Sequence, residues 1–78
     1  MGLENELLEI IEKEAMIERN KLSREATLEE LGIASIDVIS VLFAIEEKYD
    51  VVIEGEELAG ATTLGDFIDL LAAKVAAK

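Results

Sequence analysis

The chain has no cysteine, no histidine, no proline and no tryptophan. Without cysteine there is no disulfide staple and no thiolate metal site. Without histidine the commonest metal ligand and general base are missing. Without proline, turns must rely on Gly, Asn, Asp, Ser and Thr. Aromatics are scarce, with two Phe and one Tyr. Positive charge is scarce too: 7 basic side chains stand against 18 acidic ones, for a net charge of -11. The few cations are scattered (Lys13, Arg19, Lys21, Arg24, Lys48, Lys74, Lys78), so no basic footprint for nucleic acid exists. An anionic bilayer should repel the chain, and a basic protein surface is its natural partner.

What is present is apolar content. Hydrophobic residues make up 51% of the 78 positions, too many for a wholly disordered chain. The length predicts a single domain over residues 1–78. Self-repulsion among the carboxylates predicts stability that improves with salt. No basic segment precedes an apolar run at the N-terminus, and no apolar stretch approaches a bilayer span. The expectation is a soluble, cytoplasmic protein.

Periodicity predicts helices. Leu3, Leu7, Ile10 and Ile11 share one face, followed by Ala15 and Ile17, with Glu4, Glu6, Glu9, Glu12 and Lys13 opposite. This helix is expected to end near Arg19. Residues 20–34 read as a long connection in which Thr27 and Glu30 have capping-box spacing, Leu28 and Leu31 pin a turn, and Gly32 closes it. Ser35 is the expected N-cap of a second helix running to about Tyr49. Seven large apolar residues between Ile36 and Ile45 exceed what one stripe holds. Val38, Val41, Leu42 and Ile45 form the expected inward set, with Ile39 nearby. Ile36 and Phe43, seven apart, share another side with Ser40 and Glu47. Tyr49 to Glu57 reads as loop, and Glu56 to Ala59 as a short helix closed by Gly60. Thr63 caps the last helix, with Asp66 three residues on and Leu64, Phe67, Ile68, Leu71 and Val75 as its core stripe. Lys74 and Lys78 suit its negative end. The predicted fold is all-α: three main helices plus one short helix.

Catalysis fails on inventory. Ser35 has no histidine to activate it. No phosphate-binding Gly loop and no EF-hand spacing occur. Adjacent carboxylates such as Glu46-Glu47 diverge on a helix and make no acid/base pair. The chain is therefore expected not to be an enzyme and to hold no metal. Ser35 itself is open to two readings: a plain cap, or an exposed hydroxyl that another enzyme modifies, where a phosphodiester would meet the favourable end of the helix dipole.

The run Leu31-Gly32-Ile33-Ala34-Ser35-Ile36-Asp37-Val38-Ile39, followed by Ile45-Glu46-Glu47-Lys48-Tyr49, resembles the acyl carrier protein family. Thr62-Thr63-Leu64-Gly65-Asp66-Phe67-Ile68 resembles the start of that family's last helix. The likeness covers essentially the whole chain and implies a small acyl-carrier-like bundle. It implies that a phosphopantetheinyl transferase attaches 4'-phosphopantetheine to Ser35. The arm would carry acyl intermediates as thioesters in fatty-acid, specialised-lipid or related biosynthesis. It further implies a docking face of Ile36, Asp37, Ser40, Phe43, Glu46 and Glu47 for the transferase and for acyl-processing enzymes such as a ketosynthase or acyltransferase. Val38, Ile39, Leu42, Ile53, Ala59 and Phe67 would line an acyl cavity.

The chain departs from the family at Ala34, where aspartate normally precedes the serine, and at Ser40, where many relatives have glutamate. The alternatives are an unmodified helical interaction module, a peptidyl or aminoacyl carrier of secondary metabolism, and a domain that oligomerises through Ile36 and Phe43. The carrier reading implies a monomer.

Overall fold

A computed structural model describes residues 2–77. Three helices enclose one core: α1 (Leu3–Ala15), α2 (Ser35–Tyr49) and α3 (Leu64–Ala76). Two single 3-10 turns, Arg19–Lys21 and Gly55–Leu58, lie in the connections, and no strand occurs among the described residues. The all-α bundle expected from periodicity is the fold, with the short fourth helix reduced to the second of these turns. Lys78, the second cation expected at the end of α3, lies outside the described residues.

The core draws on every segment. Leu7 and Ile11 come from α1, Val41, Leu42 and Ile45 from α2, and Leu64, Phe67, Ile68 and Leu71 from α3. Ile33, Val51, Ile53 and Leu58 close it from the connections. Val38 and Val75, expected inside, pack half-buried at its edge. At about 25 cal/mol per Å² of apolar surface, burial of these side chains is the main force holding the helices together.

Two helix boundaries differ from the sequence reading. The first helix ends at Ala15, not near Arg19, because Met16 adopts a left-handed conformation (φ 57°, ψ 47°). Breaking there lets Ile17 turn back onto the core, and the Arg19 guanidinium donates to the Asn5 side chain on α1. No glycine marks this stop, so the local sequence carries no signal for it. Ser35 is the first residue of α2, not its cap. The cap is Ala34, whose backbone is extended (φ -87°, ψ 170°). Its N–H donates to the Asp37 carboxylate at 3.0 Å, so the stabilising oxygen comes from inside the first turn.

The long connection is ordered. Thr27 N–H donates to Glu30 at 2.9 Å, and Glu30 N–H donates to Thr27 Oγ1 at 3.0 Å, the reciprocal pair expected from their spacing. Gly32 closes this turn with φ 74°, the conformation glycine reaches without a Cβ penalty. The same connection is laced to the start of α3, a pairing that no local pattern announces. Leu28 N–H donates to Thr62 O, Leu64 N–H to Ala26 O and Gly65 N–H to Arg24 O, around a bridge between Thr27 and Thr63. A Cβ on Gly65 would sit 3.1 Å from Arg24 O and 3.2 Å from Arg24 Cβ, so any side chain there would press on the Arg24 backbone. Arg24 then reaches both Asp69 oxygens at 2.9 Å and Glu4 at 2.8 Å. At the head of α3, Thr63 Oγ1 accepts from Asp66 N–H at 3.2 Å, which makes Thr63 the cap.

Candidate functional site

The start of α2 sits at the end of the long connection, with Ile33 buried as its last anchor and Ala34, Ser35 and Ile36 exposed. This follows from the chain's own pattern: Ile33 and Val41 bracket about two turns of chain whose intervening apolar groups cannot all face inward. The Ser35 hydroxyl accordingly points out at the N-terminal end of a 15-residue helix. It has no hydrogen-bond partner among the described residues. Partial positive charge from free backbone amides collects at such an end and favours an anion. Ala34 supplies no side-chain oxygen, and the Asp37 carboxylate nearby already accepts the Ala34 N–H.

Along α2 the surplus apolar residues emerge as a surface stripe. Ile36 is 71% exposed, Ile39 51% and Phe43 67%. Ser40 is half-buried beside them and Glu47 is exposed. Glu46 faces elsewhere. Its carboxylate accepts the Ile53 N–H at 2.9 Å in a half-buried position, tying the 51–53 segment to the end of α2. Of the residues named for an acyl cavity, Leu42, Ile53 and Phe67 are buried in the core cluster, with Val38 packed against it. Ile39 and Ala59 are exposed.

The structure adds one residue that the sequence reading passed over. Glu14 of α1 joins Ser40, Phe43, Ala44 and Glu47 around an open groove of about 330 Å³ between α1 and α2. Helical periodicity places Glu14 in line with Leu7, Ile10 and Ile11 on the apolar side of its own helix, a signal that it faces a neighbouring element, yet only packing shows which α2 residues it meets. Toward the other end of the same seam, the Tyr49 hydroxyl donates to Glu6 at 2.6 Å, and Lys48 Nζ lies 3.8 Å from the same carboxylate. Among the described residues no group of three or more acidic side chains converges as a metal site. No helix of the described chain is long and apolar enough to cross a membrane.

Comparison with known proteins agrees with this arrangement. The family model described as "phosphopantetheine attachment site" matches residues 5–71. The acyl carrier protein of Clostridium perfringens (strain 13 / Type A) is 28% identical over 68 residues, covering 86% of this chain and 90% of the relative. The acyl carrier protein of Sulfurovum sp. (strain NBC37-1) is 26% identical over 72 residues, covering 91% and 96%. With a match across most of its length, the chain belongs to the phosphopantetheine-attachment family of acyl carrier proteins, whose prosthetic group is 4'-phosphopantetheine.

Proposed function

We propose that the chain carries acyl groups as thioesters on a 4'-phosphopantetheine arm esterified to Ser35 Oγ, within fatty-acid, specialised-lipid or related biosynthesis. The observation that carries this reading is the exposed, unpartnered hydroxyl at the first residue of α2. The fit to the group is direct: the hydroxyl is open to a transferase, and a phosphodiester there meets the positive end of the helix. The arm supplies a thiol, a function this cysteine-free chain lacks.

The chain's own residues do the rest. Asp37 holds the first turn of α2 through the Ala34 N–H, which keeps Ser35 at the mouth of the helix. Ile36 and Phe43 offer apolar contact to a partner, and Ser40, Glu46 and Glu47 complete the docking set read from the sequence. Here Glu47 carries the exposed charge, whereas Glu46 divides its carboxylate with the Ile53 N–H. Leu42, Ile53 and Phe67 form the wall that an acyl chain would part, with Val38 at its edge and Ile39 and Ala59 at its rim. Because Ala34 presents no carboxylate beside Ser35, a specialised transferase fits better than a general one.

Intact-mass measurement tests the reading. The purified chain is incubated with coenzyme A, magnesium and a transferase from the same organism. One phosphopantetheine adduct, lost in Ser35→Ala, is the expected result. No adduct with any native transferase would replace the carrier by an unmodified interaction module that uses the Ile36–Phe43 stripe.

A further inference from the structure

The polar contacts between elements fall into two groups. One joins α1 to α2: the Tyr49 hydroxyl donates to Glu6, and Lys48 faces the same carboxylate. The other joins the long connection to α3. Leu28 N–H donates to Thr62 O, Leu64 N–H to Ala26 O and Gly65 N–H to Arg24 O. The Arg24 guanidinium takes both oxygens of Asp69, one turn further along α3. The connection is also closed on itself, since Leu31 N–H donates to Thr27 O, Gly32 N–H to Glu29 O and Ile33 N–H to Leu28 O. Residues 24–33 and the head of α3 thus form one hydrogen-bonded body that ends two residues before Ser35. At Ala34 the bonding changes sides, because its N–H donates to Asp37 within α2.

This body is weakly tied to the rest. Among the described residues no hydrogen bond or ion pair joins α2 to α3. α1 packs along both helices, whereas α2 and α3 meet each other far less closely. Buried apolar side chains, Leu42 of α2 and Phe67 of α3 among them, hold that side together. Toward α1 the body makes one ion pair, Arg24 to Glu4 at 2.8 Å. The same guanidinium therefore braces the body internally and latches it to α1. We propose that residues 24–33 and the head of α3 open from the α1–α2 pair as one cooperative unit hinged at Ile33–Ala34, with Arg24 as the positioning residue that braces and latches it. Such a unit opens at lower cost than the whole chain unfolds, because α1 and α2 stay packed. On the carrier reading given above, an acyl chain that parts α2 from α3 would move the segment leading into Ser35; the unit itself does not depend on that reading.

Native-state hydrogen exchange, followed amide by amide on the unmodified chain, tests the unit. The amides of Leu28, Ile33, Leu64 and Gly65 are expected to share one opening equilibrium and to exchange faster than those of Val41 and Ile45 in α2. Arg24→Met should speed the four by a common factor of roughly two- to tenfold, the loss of two exposed ion pairs. Arg24→Lys, which keeps the charge but not the fork, should restore part of the protection. Tyr49→Phe removes the bond to Glu6 between α1 and α2, a contact the open unit retains. It should speed Val41 and Ile45 and leave the four unchanged, a pattern that uniform loss of stability does not produce. Unequal factors among the four amides, no effect of Arg24→Met, or Tyr49→Phe speeding all six alike would each overturn the proposal. The measurement needs no group on Ser35, so its failure and a failure of Ser35 loading are read separately.

Discussion

Ala34 is the residue at which this chain gives up local stability. It occupies an N-cap position with cap-like backbone angles and no side-chain acceptor. Asp37 takes the Ala34 N–H, but residue 34 has no side-chain oxygen to accept a first-turn amide in return. Ala34→Ser supplies that oxygen and should raise unfolding stability by about 1 kcal/mol in urea denaturation. An unchanged midpoint would show that the first turn of α2 is held by packing alone. Tyr49 gives the second residue-scale prediction. Burial, then the hydrogen bond to Glu6, push its phenol up from 10.0 to about 12. The folded state therefore prefers the protonated ring. That preference contributes its full stability below pH 10 and is lost as pH rises through the folded value near 12. Ultraviolet titration of the phenolate should show the raised midpoint, and Glu6→Gln should move it back toward the ordinary value.

Between elements, single polar contacts decide how the connections lie. Glu46 is the clearest case, since its carboxylate is the acceptor for Ile53 N–H and Ile53 is buried. Glu46→Ala leaves a half-buried amide without a partner and should cost about 1–3 kcal/mol. Glu46→Gln keeps an acceptor oxygen and should cost less, about 1 kcal/mol, by losing only the charge. Equal losses in the two variants, measured by urea denaturation, would show that the amide is not the point of attachment. The pairing of residues 24–28 with the head of α3 works in the same way, since the backbone bonds around Thr27 and Thr63 hold a long connection that has no α-helix of its own. Lys74 reaches Glu57 at 2.9 Å from α3, and this hydrogen bond is the chief reason the Glu57 carboxyl is held below its usual range.

At the scale of the whole molecule, charge density governs stability. Eighteen acidic and seven basic side chains share a body of 30 × 28 × 19 Å. The screening length is about 10 Å at 0.1 M salt and about 30 Å at 0.01 M. At low salt every carboxylate thus feels most of the others, and at moderate salt only its neighbours. The surface ion pairs of Arg24, Lys48 and Lys74 weaken with salt as well, but exposed pairs contribute at most about 1 kcal/mol each. The excess of like charge should win, so the melting temperature is expected to rise from low to moderate salt in calorimetry. A flat or falling value would mean that the ion pairs outweigh the repulsion.

The sequence alone determined the helices, because apolar periodicity and capping spacings are local. Leu7 and Ile11, Val41 and Ile45, and Leu64, Phe67, Ile68 and Leu71 are buried as their spacing predicts. The Thr27–Glu30 pair and the Thr63 cap were equally legible, since each is satisfied within one turn of chain. The surplus of apolar residues on α2 was legible, but whether another element covers that side was not, and in the structure Ile36 and Phe43 lie exposed. Tertiary structure decided what depends on neighbours distant in sequence. It ended α1 at Met16 because Ile17 had to return to the core, and it made Ala34 the cap because Asp37 reached its amide. It also tied Glu46 to Ile53, laced residues 24–28 to α3, and brought Glu14 beside Phe43. A residue's own helix sets which way its side chain points, but only the packing of one helix on another sets what it meets.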